Sequence, residues 1–191
     1  MDLATLLGDI ANDTFTNKVG QATGLDRADV NKVVKAGLPV ILGQLANNSA
    51  SSKGAEALDA AVAKDHTGGS LLDSLDGLFS EKQAPAEGGK ILDHILGDKQ
   101  SKANQTIAKK TGVDASTVAQ ILAFLAPLVM AYLGRKKSTD NLDAGGLSDM
   151  LGKQQSASGS PLSQIATALL DKNGDGSVID DLLGGLLGRG K

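Results

Sequence analysis

A 28-residue pattern occurs twice in this chain, and each copy places a proline inside an apolar run of helical length. Residues 19–46, VGQATGLDRADVNKVVKAGLPVILGQLA, align without gaps on residues 107–134, IAKKTGVDASTVAQILAFLAPLVMAYLG, at an offset of 88. Thr23/Thr111, Gly24/Gly112, Asp26/Asp114, Val30/Val118, Pro39/Pro127 and Leu45/Leu133 are identical. Val19/Ile107, Leu25/Val113, Val33/Ile121, Val34/Leu122, Val40/Leu128 and Ile41/Val129 are apolar in both copies. Self-similarity at a fixed offset marks repeated supersecondary units. Each unit carries its own punctuation. A first amphipathic helix ends at Thr-Gly, where Gly24 or Gly112 takes the left-handed conformation that terminates helices. Asp26 and Asp114 follow in the N-cap position. Long apolar helices are then expected near 27–46 and 115–135. Proline removes a backbone donor, so Pro39 and Pro127 are expected to kink or break them at matching places.

The same pattern sets the organisation. No segment alternates with period two, so the fold is expected to be all-α. Tandem duplicated helical units with kinked apolar helices should pack in one core: 1–84 the first unit, 85–155 the second, and 156–191 a C-terminal segment. LLGD at 6–9 resembles ILGD at 95–98, and Gly68-Gly69 and Gly145-Gly146 each precede a short apolar segment. Segments 80–90 and 153–161 read as linkers by composition, and residues 56–63 are rich in helix formers. Leu122, Leu125, Val129 and Leu133 are expected in the core. Arg135, Lys136 and Lys137 sit where a helix C-terminus favours cations.

Composition narrows the chemistry. The 191 residues include three Phe, one Tyr and no Trp, too few rings for base- or sugar-stacking clefts. With no Cys, disulfides, thiolate metal sites and a Cys nucleophile are excluded, and two His do not make a multi-His zinc site. The turn-containing segments resemble DNA-reading helix-turn-helix motifs. The second helix, however, runs into ILAFLAPLVMAYL with no basic residue before Arg135, and net charge is −4 over 1–84 and +1 over 85–191. No nucleic-acid partner is expected. The 13-residue apolar run 121–133 is shorter than the roughly 20 residues of a membrane span and reads as a buried core helix. The acidic start, Met1-Asp2-Leu3-Ala4, lacks the features of a secretory signal, so a cytoplasmic location is expected.

One segment carries metal-ligand chemistry. Residues 171–182, DKNGDGSVIDDL, read D-x-N-x-D-G-x-V, which resembles the front half of an EF-hand or dockerin calcium loop. Calcium takes six to eight oxygens, and alternate side chains in a tight turn aim theirs inward. Asp171, Asn173 and Asp175 occupy positions 1, 3 and 5, Gly176 makes the turn, and Ser177 offers a backbone carbonyl. Position 12, where the bidentate acid belongs, is Leu182. Asp181, rather than Asp180, is the expected replacement, with affinity on the order of micromolar or weaker. The competing reading is an Asp/Asn/Gly turn capping the apolar segment that follows.

Catalytic patterns are missing: neither a G-x-S-x-G elbow nor a G-x-x-x-x-G-K-[ST] loop occurs. His94, beside Asp93, is read as a packed or surface residue ahead of a general base, and His66 as a helix-end cap. The chain is expected not to be an enzyme.

The segment GGKILDHILG at 88–97, the T-G-hydrophobic-D turn, the proline-interrupted apolar helix and the D-x-N-G-D-G-S-V-I-D-D-L-L stretch together resemble the bacterial YidB-like family of domains of unknown function. The resemblance implies a small helical bacterial protein and no activity. The expected function is a non-enzymatic structural or self-assembling helical protein with a Ca²⁺-stabilised C-terminal segment. Its partner would be itself, as a homo-oligomer or polymer. The alternative is a calcium-dependent protein- or peptide-binding regulatory module.

Overall fold

A computed structural model of the chain describes residues 12–65 and 84–156. Among them every regular element is helical and no strand occurs. In chain order these are α1 (Asp13–Thr23), α2 (Arg27–Ser49), α3 (Ser52–Asp65), α4 (Ala84–Leu96), a 3₁₀ turn (Gly97–Lys99), α5 (Gln100–Thr111), α6 (Ala115–Thr139) and α7 (Ala144–Ser156).

The two turns are built as the sequence predicts. Gly24 and Gly112 end α1 and α5 with φ of 75° and 80°, and their N–H groups donate to Gly20 and Ala108 at 2.8 and 2.9 Å. Asp26 and Asp114 then cap α2 and α6 from extended backbone. Asp26 Oδ1 accepts from the Asp29 N–H at 2.8 Å. Asn12 does the same for α1, accepting from the Phe15 N–H at 2.9 Å. Each side-chain oxygen satisfies a donor that the first helical turn leaves without an intrahelical partner.

Helices α2 and α6 change character along their length. Their first two turns expose Arg27, Lys32 and Lys35 on α2, and Ser116 and Gln120 on α6. Beyond that, residues 36–43 of α2 and 121–134 of α6 are buried on every side. A helix apolar all round needs neighbours all round. α6 accordingly packs against α1, α2, α3, α4 and α5, and α2 against α1 and all of α3–α7. One hydrophobic cluster draws on both 12–65 and 84–156. Leu122, Leu125, Val129 and Leu133 are fully inaccessible to solvent. α2 and α6 come close because Gly37 leaves room for the Leu122 side chain. By length and composition α6 is apolar enough to cross a membrane, with a mean hydropathy of 1.8 over its most apolar window. Yet 83% of that window is buried within the protein, as in a core helix.

Three expectations need correction. First, of the kink or break expected at the prolines, a break does not occur: each helix is one element through its proline. Pro127 deprives the Ala123 carbonyl of its intrahelical donor. At that carbonyl Gly88 of α4 packs so tightly that a Cβ there would lie 2.6 Å from the carbonyl carbon and overlap the oxygen. Tight packing holds the helix through the missing bond. Second, residues 84–90 are not linker: α4 begins at Ala84, and its Gly-Gly serves this close approach. α7 likewise extends to Ser156, past the expected linker start, with the Asp143 carboxylate accepting from the Gly146 N–H at 2.8 Å. Third, α2 and α6 outlast their expected ends. Lys136 reaches Asp140 at 3.5 Å and Lys137 pairs with Asp59 of α3. At the end of α2, Asn48 and Ser49 find partners at Ile95 and Ala46.

Leu125→Ala should cost about 2–5 kcal/mol, the range for a large-to-small change in a packed core. Gly88→Ala should cost about 1–3 kcal/mol by overpacking against backbone. Gly89→Ala, which meets nothing within 4 Å, should instead stabilise by up to about 1 kcal/mol through helix propensity. Urea denaturation measures all three; equal effects at 88 and 89 would contradict the close approach.

Candidate functional site

The calcium-loop residues Asp171, Asn173, Asp175, Ser177 and Asp181 lie outside the described residues, as does His66. Within the described residues no group of three His, Asp or Glu side chains is arranged to hold a metal ion. His94 is exposed on α4, and its Nδ1 lies 2.8 Å from the Lys90 carbonyl, one helical turn back. That hydrogen bond fixes Nδ1 as the protonated nitrogen in the neutral ring.

Several polar side chains in the body join or end helices. At the start of α6, Asp114 Oδ1 accepts from the backbone N–H of Ser116 and Thr117 at 3.0 and 2.9 Å, and from the Ser116 hydroxyl at 2.6 Å. The Thr117 hydroxyl donates to Oδ2. The two hydroxyls, then the backbone bonds, hold the Asp114 carboxyl well below the usual carboxylate range. Asp29 similarly raises the Lys32 ammonium, through a 2.7 Å hydrogen bond and then through charge.

A second set crosses between helices. Lys99 Nζ donates to Gln44 Oε1 at 3.3 Å, Gln44 Nε2 to Asn48 Oδ1 at 2.8 Å, and Asn48 Nδ2 to the Ile95 carbonyl at 2.9 Å. This chain ties α2 to the end of α4, where the last carbonyls have no intrahelical donor. The Ser148 hydroxyl donates to the Ser49 carbonyl at 2.7 Å, joining α7 to α2. Sequence reading missed these contacts, and no local signal marks them: the partners are far apart along the chain. The Gly88 contact did leave a signal, the Gly88-Gly89 pair and a proline four residues after Ala123.

The α1–α2 turn borders an open recess of about 590 Å³, lined by Asn17, Gly20, Gln21, Leu25, Asp26, Arg27 and Ala28. Its charged groups already have partners: Asp26 caps α2, and Arg27 pairs with Asp13.

The lowered Asp114 pKa makes stability depend on acid. A depressed folded-state pKa contributes stability above the unfolded value, about 3.9, that is lost as pH falls through the folded value. Asp114→Asn keeps a capping oxygen but removes the titration. Between pH 5 and pH 2.5 the variant should lose less stability than the wild type, read from urea midpoints. An identical loss would assign the acid sensitivity elsewhere.

The sequence profile of a family described as "Bacterial protein of unknown function (DUF937)" matches residues 5–136. The matched stretch takes in both capped turns and both helix prolines, and ends before residues 171–181. No curated protein and no solved structure matches the chain. With well over half its length inside that profile, the chain belongs to DUF937, a bacterial family of unknown function.

Proposed function

We propose that this is a non-enzymatic structural protein that assembles with copies of itself, with a Ca²⁺-stabilised C-terminal segment. The observation that carries the reading is how the body spends its side chains. The apolar faces of α1–α7 are buried against one another, and Asp26, Asp114, Asn48, Lys137 and Ser148 are used to end helices or join them. The two halves are read as a duplication, supported by matched glycine ends, Asp caps and prolines. The likeness of residues 88–134 and 171–188 to YidB-like domains supports a helical bacterial protein with such a tail.

The tail supplies the metal chemistry in this proposal. Asp171, Asn173 and Asp175 offer side-chain oxygens, Ser177 a carbonyl and Asp181 the displaced acid. This all-oxygen donor set suits Ca²⁺ over zinc. The apolar residues Ile179, Leu182, Leu183, Leu186 and Leu187 recur at the spacing of one helical face. Calcium bound to the loop would order that surface.

Light scattering of the purified chain, with millimolar calcium and with chelator, tests this. The expected result is a multimeric mass with calcium that falls with chelator or with Asp175→Ala. Calcium should also raise the melting temperature, by linkage worth about 2.7 kcal/mol at a hundredfold excess over Kd. A monomer under both conditions, with no calcium-dependent stabilisation, would contradict the proposal. Calcium stabilisation at constant monomeric mass would favour the regulatory binding module instead.

A further inference from the structure

We draw no further inference here: the strongest candidate, the basic outer face of α5 where Lys102, Lys109 and Lys110 stand exposed, carries nothing because nothing in the structure shows what partner would cover it.

Discussion

The buried stretches of α2 and α6 have no polar side from which water could be kept at no cost, and this constraint governs the body. Residues 36–43 and 121–134 are covered in every direction, so each helix must be surrounded before it is stable. Each provides part of the other's cover, and the shorter helices supply the rest. Burial of this kind is worth about 25 cal/mol per Å² of apolar surface, far more than the caps and ion pairs at the periphery contribute. The polar bonds have a different task. Asn48 on the Ile95 carbonyl, Ser148 on the Ser49 carbonyl and Lys137 on Asp59 fix which helices neighbour which, where apolar contact alone is indifferent to register.

Proline and glycine act together within this packing. Proline in a helix interior leaves one carbonyl without its donor. Glycine in a helix interior is normally unfavourable. At the α4–α6 contact the two meet: Pro127 releases the Ala123 carbonyl, and Gly88 allows α4 to lie directly over it. The first long helix has a different surface at the matching place, where Lys35 stands exposed in alignment with the buried Ala123. The two long helices therefore share a capped turn and a proline but differ in what lies against the helix four residues before it.

The sequence showed the fold class and both capped turns because these are set locally. A glycine that must adopt positive φ and an aspartate three residues before an amide donor are written in adjacent positions. The buried residues of α6 were legible for the same reason, as an unbroken apolar run. What sequence did not show is set by contacts distant along the chain. The start of α4 at Ala84 follows from its seat on α6, not from the composition of SEKQAPAEGGK. The continuity of α2 and α6 through proline depends on neighbours. The Asn48–Ile95 bond joins residues 47 apart. The loop 171–181 was legible as a ligand pattern, and lies outside the described residues.

Hydrogen exchange of backbone amides, followed residue by residue in the native chain, tests the central claim most directly. If α2 and α6 are mutually required core, their amides in 38–46 and 122–134 should exchange only through global unfolding, with one shared free energy equal to that from denaturation. The ends of α4 and α7 should exchange faster. Amides in 122–134 that open at a lower free energy than those of α7, or independently of 38–46, would contradict the account.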